Sequence, residues 1–470
     1  MSSLLLKEYS LKELANGLDE GLWSSVDLVN MYLKQIDIWN PKVNAFGEYN
    51  RDAFEIAKAL DDERLKKGKR SVLHGIPIVI KDNINTFDKM HTSASSYALK
   101  DFNAPNDAFI VRKLREAGMI ILGKANLSEF AYFMTFGEMP SGYGSRHGQV
   151  NSPYSENIDP LGSSTGSAVM VATNMIPVSI GTETNGSLMA PAMRNSIVSI
   201  KPTLGLVSRT GIIPISHLQD TAGPMARTVE DCAILFESLL GKDLEDNETL
   251  NVPNKEYNFS KTYSDDISNL SVGFLSFKDV KYHEEEINIF EEAKSIIKPL
   301  ANKTMDLEIE EQEMPNFKSL MVEFKYDLNK YFESVKDSIN IHSLKELIEF
   351  NEANKDICLK YGQSMFLKSE ATSGDLLDPE YLEIRKDLVF KANELNRIMD
   401  ANNLDVLVLK RRTSHAPIAG NPVMTVPAKS LTDDFPRSLF FVAKNFEDEK
   451  CLRVAYQYEK YTNKRISPQF

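Results

Sequence analysis

Phe109-Ile110-Val111-Arg112-Lys113-Leu114-Arg115-Glu116-Ala117-Gly118-Met119-Ile120-Ile121-Leu122 changes character at its glycine. Residues 109–118 read as a helix. Residues 119–122 read as a short apolar strand of the kind buried on both faces. A second such run, Pro77-Ile78-Val79-Ile80, lies between Gly75 and the charged pair Lys81-Asp82. Helix followed by buried strand is the signature of a parallel α/β sheet.

Outward from this stretch the texture changes three more times. Residues 10 to about 70 read as helical. Ser10 and Glu13 have capping-box spacing, Ser24-Ser25 starts a second amphipathic pattern, and Asn40-Pro41 is expected to stop it. A third helix is expected from about Asp52, with Gly68 as its breaker. Residues 140–225 are rich in Gly, Ser, Thr and Pro and carry few charges before Arg194. From about Gly241 to Asn402 the chain is acidic and Lys-rich. Helical periodicity runs through 285–298, 317–336 and 380–400, and Val272–Phe277 is the one good strand candidate there. Strand patterns return at Leu404–Leu409 and Val423–Val426. That return argues for one domain across 1–470. Its parts are N-terminal helices (1–70), a core (71–240), a variable helical cap or insertion (241–402) and a C-terminal return to the sheet (403–470).

The 470 residues are 42% hydrophobic and 26% charged, an ordinary globular composition with a formal net charge of −13. That acidity argues against nucleic acid as a partner, because phosphate contacts need clustered Lys and Arg. Cys232, Cys358 and Cys451 are widely spaced and form no metal or disulfide pattern. Leu4-Leu5-Leu6 is too short for a signal-peptide core, and no run approaches a membrane span. The expected location is cytoplasmic, with no membrane partner and a monomer or homodimer as the assembly.

Three segments carry chemistry-bearing residues. Leu161-Gly162-Ser163-Ser164-Thr165-Gly166-Ser167-Ala168 is a small-residue turn entering a helix. Its N–H groups could hold an anion, but its serines would also serve as plain N-caps. No Gly-Lys-Ser/Thr follows at P-loop spacing. Ile180-Gly181-Thr182-Glu183-Thr184-Asn185-Gly186-Ser187 is a strand end feeding a polar turn. Such a turn can present N–H groups to an oxyanion or be an ordinary β-turn. Lys81 ends the apolar run 78–80. It either snorkels to the surface or is desolvated into a useful base. The seven histidines include none in a Ser-His-Asp context, and His74 and His147 suit packing or wall roles. No metal-ligand spacing is present, so neither metal nor cofactor is expected.

Taken together, these segments resemble the amidase signature family over most of the chain. His74-Gly75-Ile76-Pro77-Ile78-Val79-Ile80-Lys81-Asp82 is similar to its lysine motif. Gly123–Phe130, Ser145–Gln149, Gly162–Ser167, Gly181–Ser187, Lys201–Thr203, Gly223–Arg227, Ala419–Pro422 and Val426–Ala428 are similar to its further blocks. The resemblance implies an α/β fold: a single large domain with a central mixed, mostly parallel twisted sheet covered by helices on both faces. It implies hydrolysis of a linear amide C–N bond through an acyl-enzyme. Ser187 would be the nucleophile, Ser163 (in a cis peptide) the bridge, and Lys81 the base. Backbone N–H groups at Thr184, Asn185, Gly186 and Ser187 would hold the oxyanion, and Ser164 would support the network.

The chain also departs from the family pattern. Leu161 and Thr165 stand where glycines are usual, and Asn185 where Gly or Asp is usual. Met189 occupies a position where members that bind a substrate carboxylate often carry Arg. That favours a neutral or apolar acyl group, in a small-molecule or peptide amide. Lys410-Arg411-Arg412 replaces a Pro-rich loop and reads as a solvated turn or a site for an anionic substrate group. Two alternatives are the A subunit of glutamyl-tRNA amidotransferase and a catalytically impaired binding protein on the same fold.

Overall fold

A computed structural model describes residues 7–428 and 435–469. The leucines at 4–6 lie outside the described residues. In chain order the strands begin with β1 (Phe46–Tyr49), β2 (Pro77–Lys81) and β3 (Ile120–Ala125). A small separate ribbon follows, β4 (Tyr143–Gly144) with β5 (Gly148–Gln149). Next come β6 (Ser179–Glu183), β7 (Val198–Lys201), β8 (Thr221–Ala226), β9 (Ser271–Phe277) and β10 (Lys303–Ile309). The last are β11 (Val406–Leu409), β12 (Val423–Pro427) and β13 (Ser438–Ala443). All but the ribbon form one 11-stranded sheet in the order β1-β3-β2-β6-β8-β7-β12-β13-β11-β9-β10.

Every residue of β2, β3, β6, β7, β8, β11, β12 and β13 is buried. Consecutive residues point to opposite faces, so helices must cover the sheet on both sides. The single mixed sheet is as expected, but its pairing is more antiparallel than parallel. Parallel pairs join β2 to β3 and β6, and β9 to β10 and β11. The others, from β6 through β8, β7, β12 and β13 to β11, and β1 with β3, run antiparallel. Parallel neighbours need a long crossover, usually helical. Between β7 and β8 the chain makes turns rather than a helix, and it returns antiparallel.

Local signals account for most element boundaries. Ser10 closes a capping box with Glu13 on the helix Leu11–Asp19, and Ser24 does so with Asp27 on Ser25–Val43. Pro41 does not stop that second helix. It sits in the last turn, where one lost bond costs little, and Asn44 ends the helix in a left-handed conformation at φ 49°. Within the stretch read as helical, residues 46–49 form the edge strand β1. In the region 241–402, β10 is a second strand beside the expected β9. The helices Asn316–Ser334, Leu344–Ala353 and Ser364–Glu370 enclose a second apolar core with Phe130, Phe133, Ile213 and Ile215. Among the described residues no helix is long and apolar enough to cross a membrane. Cys232, Cys358 and Cys451 are free and buried.

Candidate active site

The site begins with sheet register. β2 and β6 are parallel neighbours, pairing Val79 with Ser179 and Ile80 with Ile180. Their C-terminal ends therefore lie side by side, where open α/β sheets bind ligands. Lys81 ends β2 and Thr182 lies near the end of β6. Lys81 is fully buried, and its Nζ lies 2.8 Å from Thr182 Oγ1 and 3.3 Å from the Thr182 carbonyl. It also reaches Ser163 Oγ at 2.8 Å and Ser164 Oγ at 3.0 Å. Among the described residues no carboxylate lies within ion-pair distance of it. Burial brings the amine down to about 7, against weaker upward pulls from Asp220 and Glu183.

Ser163 and Ser164 enter from the loop that precedes the helix Thr165–Ala172. The Gly162–Ser163 peptide is cis, as the resemblance implies for Ser163. Ser164 is held firmly. Its hydroxyl donates to the Thr182 carbonyl at 3.0 Å and accepts from the Thr182 N–H at 3.1 Å. Its own N–H donates to the Ser187 carbonyl at 3.2 Å. This close approach needs Gly181, because a Cβ there would lie 2.7 Å from Ser164 Oγ. The departures at Leu161 and Thr165 have visible consequences. Leu161 adopts φ 58°, a conformation glycine takes at no steric cost. Its N–H donates to Asp159 Oδ1 at 2.7 Å, which ties the strained loop down. The buried Thr165 hydroxyl has no partner among the described residues.

Ser187 follows β6 across a tight turn. It is the member of the Lys81/Ser163/Ser187 set that solvent reaches, the other two being fully buried. Gly186 has φ 88°, which favours glycine. The N–H groups of Asn185, Gly186 and Ser187 donate to no acceptor among the described residues. Glu183 accepts from the N–H groups of Leu188 (2.7 Å) and Met189 (3.0 Å), fixing the start of the next helix. Thr184 is engaged through its hydroxyl, which donates to Asp220. Asn185 bonds Ser414 through its side chain at 3.1 Å.

Three further residues join the network. Thr182 lies inside the quoted turn motif, and its two oxygens accept from Lys81. Asn83 donates to Thr182 Oγ1 at 3.1 Å from the turn that follows β2, and its place directly after the Lys81-Asp82 motif is its sequence signal. Asp220 has no such signal. It comes from a distant loop, and burial raises its carboxyl to about 6. Asn83, Thr182, Thr184 and Asp220 line a cavity of about 440 Å³ together with Tyr326 and Tyr331 of the helix 316–334.

The remaining candidates are structural or peripheral. His74 contacts the Leu60 carbonyl at 2.9 Å, and His147 lies 3.2 Å from Asp82. Lys410 bonds Ser276 and lies over Tyr282 and Phe290, while Arg411 pairs with Glu286 at 2.6 Å. Arg412 instead reaches the turn at Gly186. Met189 is buried.

Comparison with known proteins places the chain in a family. The family model described as Amidase matches residues 27–452. A probable amidase of Arabidopsis thaliana is 34% identical over 479 residues, covering 100% of this chain and 93% of that protein. The crystal structure of peptide amidase from Stenotrophomonas maltophilia is 36% identical, with a TM-score of 0.92 and 99% of each chain covered. The A subunit of glutamyl-tRNA(Gln) amidotransferase from Pseudomonas putida is 29% identical over 491 residues, covering 97% of this chain and 98% of that one. The chain belongs to the amidase signature family and is an amide-hydrolysing enzyme.

Proposed function

We propose that the enzyme cleaves carboxylic amides to acid plus ammonia or amine through a Ser187–Ser163–Lys81 relay and an acyl-enzyme. The observation that carries this reading is the buried Lys81, brought to about 7 and 2.8 Å from Ser163 Oγ. A lysine at its ordinary value is neutral in roughly one molecule in a few thousand at neutral pH. At about 7, half of the molecules carry the neutral amine. The hydrogen bonds around Lys81 support Ser163 as the bridge. The Ser164 proton is committed to the Thr182 carbonyl, whereas the Ser163 hydroxyl, which accepts from Lys81 Nζ, donates to no group among the described residues and is free to give its proton to the amine once that is neutral. Ser163 therefore passes its proton to neutral Lys81 and takes the one leaving Ser187.

The alkoxide of Ser187 adds to the amide carbonyl. The unengaged N–H groups of Asn185, Gly186 and Ser187 receive the oxyanion, with the Thr184 N–H beside them. Collapse of the adduct expels the amine, protonated by the relay in reverse, and water releases the acid from Ser187. Ser164 and Thr182 hold Lys81 in place.

Buried Met189 supports an acyl group that is neutral where it meets this position. The peptide amidase neighbours support a peptide or small-molecule amide as substrate. Residues 241–402, whose helix 316–334 walls the cavity, act as the insertion that shapes specificity within one domain. The amidotransferase reading is weaker, since that relative is the more distant one and Met189 lacks a charge. The three buried free thiols support a cytoplasmic location. The test is steady-state hydrolysis of a primary amide by Ser187→Ala and Lys81→Ala. Each variant loses at least about a thousand-fold in kcat/KM while staying folded. Near-normal turnover in Ser187→Ala removes the mechanism.

A further inference from the structure

The segment 410–414 leaves the end of β11 and packs on the nucleophile turn. Ser414 accepts from Asn185 Nδ2 at 3.1 Å. Arg412 stands over the next residue: a Cβ on Gly186 would lie 2.8 Å from one of its guanidinium nitrogens and 3.3 Å from its central carbon. A cation is thus held beside the residue that precedes Ser187.

Its neighbours are already engaged. Lys410 bonds Ser276 and lies 4.1 Å from the centres of the Tyr282 and Phe290 rings. Arg411 grips Glu286 with two bonds, of 2.6 and 2.7 Å. Arg412 is exposed, and among the described residues it has neither a hydrogen-bond nor an ion-pair partner. It lines a second cavity, of about 470 Å³ and distinct from the 440 Å³ one beside Thr182, together with Ser414 and with Met193 of the helix that follows Ser187. A planar guanidinium with free N–H groups matches a carboxylate in two-pronged geometry. In a chain of net charge −13, this cavity gathers Arg194, Lys410 and Arg411 as well as Arg412 against Glu286 and Glu311, and of these Arg412 stands beside the nucleophile turn.

We propose that Arg412 is a specificity-determining residue that binds a carboxylate on the substrate's acyl part, so that amides bearing a second, acidic group are preferred. This rests on the Ser187 reading and narrows its substrate class. It also qualifies the expectation drawn from Met189: the charge absent at that position is supplied from the loop after β11.

The test compares two primary amides of equal reach, succinamate and its methyl ester. Wild-type kcat/KM favours succinamate by about ten-fold, the scale of one charge-assisted contact. Arg412→Gln brings the ratio to about one, and Arg412→Lys keeps part of it. A fold-independent arm uses the wild type alone. Its ratio falls on going from low salt to about 0.5 M NaCl, because the guanidinium is exposed. The inference is overturned if the wild type favours the ester or neither substrate, if Arg412→Gln lowers both substrates equally, or if salt leaves the ratio unchanged. Turnover persisting in Ser187→Ala would instead overturn the parent reading, whatever the ratio.

Discussion

Lys81 sets the pH behaviour of the enzyme. The neutral amine accepts the proton, and burial puts its titration at about 7. The kcat/KM for a neutral amide is therefore expected to rise as pH increases through about 7 and then level off. A profile flat from pH 5 to 9 would show that Lys81 is not the base. The same burial affects stability. The folded-state value lies below the unfolded one of 10.5, so the unfolded chain binds more protons between about 7 and 10.5. Stability rises with pH across that window, and the burden of the buried amine is largest below it. Lys81→Met is expected to abolish turnover yet melt above the wild type at about pH 6, by roughly 1–3 kcal/mol, with the gap closing toward high pH. Denaturant titration at several pH values checks the sign. Lys81 and both serines are legible in the sequence because they stand in contiguous motifs. Asp220 is not, because only the fold brings it to Thr184.

At the scale of elements, two turns decide the geometry. Gly186 has φ 88°, and a methyl there would also meet Arg412. Gly186→Ala is expected to cut kcat by at least about ten-fold and to cost about 1 kcal/mol in stability. Wild-type kinetics in this variant would remove the tight turn from the mechanism. Leu161 has the opposite character, holding φ 58° with a Cβ. Leu161→Gly is expected to keep turnover within about three-fold, without stability loss beyond about 1 kcal/mol, since released strain offsets the entropy of glycine. The sequence marks both positions. It marks the strands less evenly. β2 and β3 open on continuous apolar runs, and β9 is apolar but for Ser271 and Ser276 near its ends, so all three are legible. β10 reads Lys303-Thr304-Met305-Asp306-Leu307-Glu308-Ile309, an alternating edge pattern easily lost in an acidic, helix-rich region. Pro41 reads as a stop because a proline's cost depends on its place within the helix, which local sequence does not state.

At the scale of the molecule, one sheet carries residues from both ends of the chain to the site. The C-terminal helix Asp448–Thr462 is pinned to the segment after β7 by buried Asp448, which accepts from Thr203 N (2.8 Å) and Oγ1 (2.6 Å). Asp448→Ala is expected to lower unfolding free energy by about 2–3 kcal/mol while leaving KM unchanged, because two buried donors lose their acceptor. Equilibrium denaturation with parallel kinetics measures both. One mixed sheet is legible from the return of strands near 404–409 and 423–426. Its antiparallel share is not, since pairing direction depends on whether a connection crosses over, and 203–220 has no sequence mark that says so.

The central claim is that Ser187 forms the covalent bond. Labelling with a fluorophosphonate followed by peptide mass spectrometry tests it most directly. The account predicts one adduct per chain on the peptide bearing Ser187, formed faster as pH rises through about 7 and absent in Ser187→Ala. An adduct on Ser163 or another serine, or undiminished labelling of Ser187→Ala, would contradict it.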